Sequence, residues 1–380
     1  MREVYIGYWL IVGLERKMNN HKRVLFFVKS MYGGGAQRVI INLATGFKKK
    51  GLDVGVVSLY DRCDYEIGFP VSMFPLNVSE TNNSIDDNVV VANSMAEKLQ
   101  VTNSDILVVC SSSATLYEYA IYFFEKAKSK PALIAALTNE PTMSPSKKVD
   151  QEKRDEMFRK VYELGGRFVF QTQSARDYFG EDIAEKSMII NNPISPDLPE
   201  PFRGQRQRKI VSVGRLNFQK NYPLLIASFK SFLKTHADYI LEIYGEGEER
   251  ETLQSIIGQE TRIKLVGFTN DLYNRINNAT AFIMTSDFEG VSNAMLEALS
   301  LGIPTIVTDC PAYGARMFID NYENGIIIPL NDENAVVNAL SNVVDSDDLR
   351  EKMSKKSVEI RHLLSVEHIC DQYIELIEGK

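Results

Sequence analysis

Histidine and cysteine are scarce in this 380-residue chain, and no apolar run is long enough to cross a bilayer. The four cysteines, Cys63, Cys110, Cys310 and Cys370, stand far apart with no C-x-x-C pair. That excludes a disulfide framework and a cysteine zinc site, and it points to reduced core residues in a cytosolic protein. The four histidines, His21, His236, His362 and His368, avoid the glycine-bearing loops and show no ligand spacing. The single D-x-D string, Asp345-Ser346-Asp347, falls among helical segments and reads as a helix cap rather than a metal site. Excess basic charge is lacking too. Residues 1–200 carry 24 Lys/Arg against 25 Asp/Glu, and residues 201–380 carry 19 against 25, for a net charge of −7. Bulk attraction to nucleic acid is therefore not expected, and any bound anion must be held by a few placed groups.

What is present is a globular composition, 44% apolar and 24% charged, in a chain long enough for two domains with cores of their own. Residues 6–14 are apolar but have no small-residue cleavage site after them, so residues 1–17 read as an appendage. A hydrophilic stretch begins at Met18 and leads into the first strand, which makes Met18 the expected natural start. Apolar strand-like runs at 23–28, 53–60, 105–110, 132–137 and 168–171 alternate with helical intervals, among them 113–128 and 149–164. Pro193, Pro196, Pro199 and Pro201 then interrupt regular structure and mark a linker. Alternation restarts beyond it, with strands at 209–213, 239–244, 262–266, 280–285 and 304–308 and helices at 223–234 and 293–301. Continuous apolar strands separated by helices indicate two doubly wound parallel α/β units. The expected boundaries are an N-terminal extension 1–22, a first domain 23–190, a linker 191–208 and a second domain 209–355. Residues 356–380 are expected to pack as a C-terminal helix. Ligands of such sheets sit beyond the carboxyl ends of the strands, where the strand order reverses.

Three constellations fall at such places. The first runs from Ser286 to Leu299, after an apolar strand and into a helix that Ser292 or Asn293 can cap. Its first free amides suit an anion, and Glu289 and Glu297, eight residues apart, can accept from two sets of hydroxyls. The second is Gly214-Arg215 followed by Lys220-Asn221, two cations at a strand end where a phosphate would sit. The third, Gly33-Gly34-Gly35, lies between a strand and a helix. It permits close backbone approach to a ligand but is equally consistent with a tight turn, and Arg38 stands where a dinucleotide fingerprint has its third glycine. Arg250 likewise breaks that pattern after Gly245 and Gly247. The basic run Lys147, Lys148, Lys153, Arg154, Arg159 and Lys160 is interleaved with acids and reads as a solvated helix, with contact to an anionic membrane surface as the alternative.

In order along the chain stand Gly33-Gly34-Gly35-Ala36-Gln37-Arg38, Gln173-Ser174, Asn192-Pro193, Gly214-Arg215 with Lys220-Asn221, Tyr244-Gly245-Glu246-Gly247 and Glu289-x7-Glu297. This series resembles the retaining nucleotide-sugar transferases of glycosyltransferase family 4. The resemblance runs from about residue 23 to the C-terminal helices. It implies the GT-B fold, two Rossmann-like domains facing across a cleft, with acceptor on the N-terminal side and donor on the C-terminal side. It also implies that the last helices cross back to the first domain.

By that resemblance, Arg215 and Lys220 bind the donor diphosphate, Glu297 the ribose hydroxyls and Glu289 the transferred sugar. Gly290, Val291, Ser292 and Asn293 wrap sugar and phosphate, Gly245 and Phe268 line the nucleotide, and Gly34 and Gly35 face it from the other domain. Where many relatives carry a histidine, this chain reads Asn139-Glu140-Pro141, so Glu140 is either a polar catalytic group or a loop carboxylate shaping the turn. The resemblance implies a metal-independent, cytoplasmic hexosyl- or N-acetylhexosaminyltransferase that uses a nucleotide-sugar, a UDP-sugar foremost. Its acceptor would be a lipid-linked oligosaccharide at the inner membrane face, in assembly of bacterial O-antigen, capsule or exopolysaccharide. A non-catalytic sugar-nucleotide-binding partner and a nucleotide-sugar epimerase on the same scaffold remain open at this point.

Overall fold

The structure, a computed structural model, describes residues 23–31, 35–60, 72–75, 96–137, 141 and 148–379. Its strands are β1 (Arg23–Val28), β2 (Asp53–Ser58), β3 (Ser72–Pro75), β4 (Asp105–Cys110), β5 (Ala132–Ala136), β6 (Arg167–Phe170) and β7 (Ser187–Ile189) in the first domain. The second has β8 (Gln207–Val213), β9 (Ile240–Tyr244), β10 (Ile263–Gly267), β11 (Ala279–Met284), β12 (Thr305–Thr308) and β13 (Ile326–Ile328). All pair in parallel, in the orders β3-β2-β1-β4-β5-β6-β7 and β10-β9-β8-β11-β12-β13. In each sheet the strand order therefore reverses once, between β1 and β4 in the first and between β8 and β11 in the second. The sequence pattern does not announce β3, β7 and β13, and each is an edge strand of three or four residues. An edge strand pairs on one side only and needs no long apolar run.

The principal helices of the first domain are α1 (Gly35–Lys49), α2 (Ala114–Lys126) and α3 (Lys148–Glu163). In the second domain they are α4 (Tyr222–Phe232), α5 (Arg250–Ile257), α6 (Leu272–Ile276), α7 (Asn293–Ser300), α8 (Glu333–Asp345) and α9 (Asp347–Ser357). Two more follow, α10 (Ile360–Leu363) and α11 (Val366–Glu378). The Asp345-Ser346-Asp347 string joins α8 to α9, and the Ser346 hydroxyl caps α9 by accepting from the Leu349 amide at 3.2 Å.

Each sheet has a core on one face. One is built on Phe27, Phe123, Phe158 and Phe168, the other on Phe229, Phe232, Ile243 and Leu340. A third buried cluster joins the domains, running from Leu43 and Phe47 of α1 through Leu296 and Leu299 of α7 to Ile369 and Tyr373 of α11. Burying each such side chain stabilises the assembly by about 1.5–3 kcal/mol, so α11 is integral to the fold of both halves. Phe47 meets Tyr373 edge to face at 6.2 Å, and Lys50 pairs with Asp371 at 2.7 Å. The linker is fastened as well. Asn42 donates to the Pro193 carbonyl at 3.2 Å, and the Ile194 amide to the Leu364 carbonyl at 3.0 Å. Arg206 donates to the carbonyls of Asn277, Ala279 and Gly302, and burial pushes its guanidinium down to about 10.

The basic run on α3 departs from a purely solvated face. Arg154 is buried, donates to the Pro141 carbonyl at 3.2 Å, pairs with Asp155 at 2.7 Å and lies over the Tyr178 and Phe179 rings. Lys153 pairs with Glu118 of α2 at 2.8 Å. Charge counting sees the sign of a residue but not the face of the helix that carries it; Lys147 lies outside the described residues.

Candidate active site

The chain leaves β8 at Gly214, and only glycines fit the turn beside it. Gly245 has φ +135°, and a Cβ there would stand 2.0 Å from the Gly214 carbonyl oxygen. The loop continues through a 3-10 turn, Phe218–Lys220, to Asn221, which is left-handed at φ 46°. The Asn221 side chain caps α4 and donates to Asp287 at 2.8 Å, tying the loop after β8 to the loop after β11. Two further bonds strengthen that seam, Asp287 amide to Gln219 carbonyl and Gln219 side chain to Phe288 carbonyl, both 2.9 Å.

The seam presses the Lys220 ammonium against the Glu289 carboxylate, with both side chains 13% exposed. The Ser286 hydroxyl donates to the same Glu289 oxygen at 3.0 Å. Arg215 is exposed, and its side chain has no hydrogen bond among the described residues. Gly290 packs its carbonyl against Gly314, where a Cβ would come within 1.9 Å of that oxygen. Ser292 then caps α7, accepting from the Met295 amide at 3.4 Å. Phe268, just beyond β10, is 63% exposed, and the Phe218 ring lies 5.7 Å from that of Phe288.

Across from these loops lies the start of α1. Its first residue, Gly35, accepts from the side chain of Asn293, the first residue of α7, at 3.5 Å, and Asn293 also accepts from Asn192 at 2.8 Å. Two helix N-termini, one from each domain, thus meet at one place, and each brings a positive dipole end. An interdomain crevice here is lined by Gly35, Arg38, Asn192, Asn293 and Glu297. Glu297, only 7% exposed, accepts at one oxygen from Tyr273 at 2.8 Å and from Arg38 of the first domain at 3.1 Å. Burial, and next the neighbouring carboxylate, hold the Tyr273 phenol well above its ordinary range, so it remains a proton donor. Two cations and two helix ends over a cleft can hold a diphosphate, and the paired carboxylates can hold hydroxyls.

Comparison with known proteins agrees with this geometry. Residues 197–359 match the family described as Glycosyl transferases group 1. S. aureus TarM, in a mutant form solved with Fondaparinux, alpha-GlcNAc-glycerol and UDP, superposes with a TM-score of 0.79 at 13% identity, covering 94% of this chain and 99% of that one. This is a GT-B fold, and its second domain is similar to the glycosyl transferases group 1 family. An uncharacterized glycosyltransferase of Haemophilus influenzae is 23% identical over 378 residues, spanning 94% of this chain and 99% of the relative. The UDP-Gal:alpha-D-GlcNAc-diphosphoundecaprenol alpha-1,3-galactosyltransferase of Escherichia coli is 32% identical over 215 residues, 53% of this chain and 54% of the relative. The chain thus spans nearly all of the first relative and about half of the second.

Within the matched residues lie Arg215, Lys220, Gly245, Phe268 and the segment from Glu289 through Gly290, Val291, Ser292 and Asn293 to Glu297. Val291 is buried beneath the loop, and Gly35 faces the segment from the first domain. Gly34, Asn139 and Glu140 lie outside the described residues. Sequence reasoning assigned no site role to two side chains the structure brings in, Arg38 and Tyr273. Arg38 carried a signal, a cation one turn into a helix that follows a glycine loop. Tyr273 sits in a five-residue helix with no pattern to mark it. Among the described residues no cluster of three metal-ligating side chains occurs, and no helix is long and apolar enough to cross a membrane.

Proposed function

We propose that this chain is a retaining, metal-independent glycosyltransferase. In our reading it moves a hexosyl or N-acetylhexosaminyl group from a UDP-sugar to a lipid-linked oligosaccharide, in assembly of a bacterial surface polysaccharide such as O-antigen, capsule or exopolysaccharide. The observation that carries the reading is that the loop holding Glu289, paired with Lys220, runs directly into the start of α7, whose first residue Asn293 meets the start of α1. The donor and diphosphoundecaprenol acceptor named for the Escherichia coli relative support the choice of substrates.

In this reading Arg215 and Lys220 take the diphosphate. As the bond from sugar to phosphate breaks, negative charge develops on the leaving oxygen, and the two cations and the α7 amides stabilise it without a bound ion. Glu289 orients the transferred sugar, Glu297 accepts from the ribose, and Phe268 and Gly245 border the nucleotide. Glu140 is a candidate for a polar role on the acceptor side. The protein works at the cytoplasmic face of the membrane, in peripheral contact through its first domain.

The test is a panel of UDP-hexoses and UDP-N-acetylhexosamines with a lipid-diphosphate saccharide acceptor, run with EDTA, reading UDP release and product anomer. Acceptor-dependent turnover with retained configuration is expected. Absence of donor binding across the panel, or activity that disappears under EDTA and returns with manganese, refutes the proposal.

A further inference from the structure

Glu297 is gripped from the opposite domain. Arg38 and Tyr273 both donate to its Oε1, at 3.1 and 2.8 Å, and Arg38 also donates to the Tyr273 hydroxyl at 3.0 Å while lying over that ring. Among the described residues Oε2 takes no hydrogen bond, so one carboxylate oxygen is held by protein and the other is left to accept, in a residue that lines the crevice. A glutamate on a helix rotates about three side-chain bonds, and two donors on one oxygen remove that freedom. The two donors come from separate domains, with 235 residues between Arg38 and Tyr273. The fixed orientation therefore exists only while α1 lies against α7, the arrangement that Asn192–Asn293 and Gly35–Asn293 also mark.

We propose that Arg38 is a positioning residue that sets the Glu297 carboxylate for the ribose hydroxyls of the donor, so that a first-domain side chain takes part in nucleotide selection by acting through Glu297. The proposal rests on the reading of Glu297 as the ribose acceptor. It makes ribose recognition depend on domain approach, whereas Arg215 and Lys220, the cations read as holding the diphosphate, both belong to the second domain.

The test compares UDP with 2′,3′-dideoxy-UDP by calorimetry, in the full-length protein and in Arg38→Ala, Arg38→Lys, Tyr273→Phe and Glu297→Gln. The wild type is expected to prefer UDP by about tenfold or more, the scale of a hydrogen bond to a charged group. Arg38→Ala is expected to reduce that preference to about threefold or less, with affinity for dideoxy-UDP changed less than about twofold, and Arg38→Lys to restore part of it. Adding Arg38→Ala to Glu297→Gln is expected to remove nothing further, because both act through one carboxylate. A purely structural role for Arg38 would weaken both nucleotides alike. An Arg38→Ala protein that keeps the wild-type preference overturns the inference and leaves the ribose reading standing. A wild type without any preference for UDP over dideoxy-UDP overturns the ribose reading of Glu297 and the inference with it.

Discussion

Removing the Lys220 ammonium tests the charge arrangement of the site most directly. In the free protein Lys220 and Glu289 neutralise one another at 13% exposure, and Ser286 is the other donor to the Glu289 oxygen. On the proposed reading Lys220→Ala deletes a charge-assisted bond to the diphosphate, a loss of about 1.5–3 kcal/mol. It also leaves the Glu289 charge uncompensated next to an incoming anion. At a separation of about 6 Å and an effective dielectric near 20, two unit charges repel by about 3 kcal/mol, which solvent and salt reduce. The expected outcome is a UDP affinity about 100-fold weaker, measured by calorimetry at fixed ionic strength. Glu289→Gln frees the ammonium, so UDP affinity stays within about threefold of wild type or improves, while turnover falls by about 100-fold because the sugar loses its orienting carboxylate. Combining the two recovers part of the affinity that Lys220→Ala loses, leaving a deficit of about tenfold. A Lys220→Ala protein within about threefold of wild type, or a double variant no better than the single, refutes the argument.

Other consequences follow from packing and burial. Gly245→Ala places a methyl group 2.0 Å from the Gly214 carbonyl at a φ that side chains rarely adopt. UDP affinity should fall at least about tenfold as the Gly214-Arg215 turn is displaced, a result checked by calorimetry on protein with an intact thermal transition. Gly46→Ala puts its Cβ 2.4 Å from Val366 and 2.5 Å from Cys370 at the contact of α1 with α11, so denaturant unfolding should show a loss of about 1–3 kcal/mol. Burial pushes the thiols of Cys110, Cys310 and Cys370 up to about 12, and all three should resist iodoacetamide at pH 8 until the protein is unfolded, as peptide mass spectrometry will show. The unfolded chain releases these protons near the ordinary value of 9, before the folded one does. Their contribution to stability is therefore complete below that pH and drains away between about 9 and 12.

The amino-acid sequence by itself determined the principal strands and helices and their order, though not the edge strands β3, β7 and β13. Apolar runs such as Asp105–Cys110 and Ala279–Met284 are strands because their continuous apolar character suits a sheet covered on both faces, and the four prolines of the linker stop the pattern between domains. It also marked Gly214, Arg215, Lys220 and Glu289 as chemistry-bearing residues because they fall in loops after strands, and Glu297 because it is an acid in the second turn of a mostly apolar helix, eight residues after Glu289. Those features depend on neighbours a few positions away. Only the tertiary structure decided what meets what. It set α1 against α7 so that two helix ends share a cleft, brought Arg38 across 259 residues to Glu297, buried Arg154 within a run of surface charge, and fastened α11 onto α1. Such contacts arise from domain packing, in which the apolar stripes of α1, α7 and α11 must bury one another, and no local periodicity specifies which residues that burial will bring face to face.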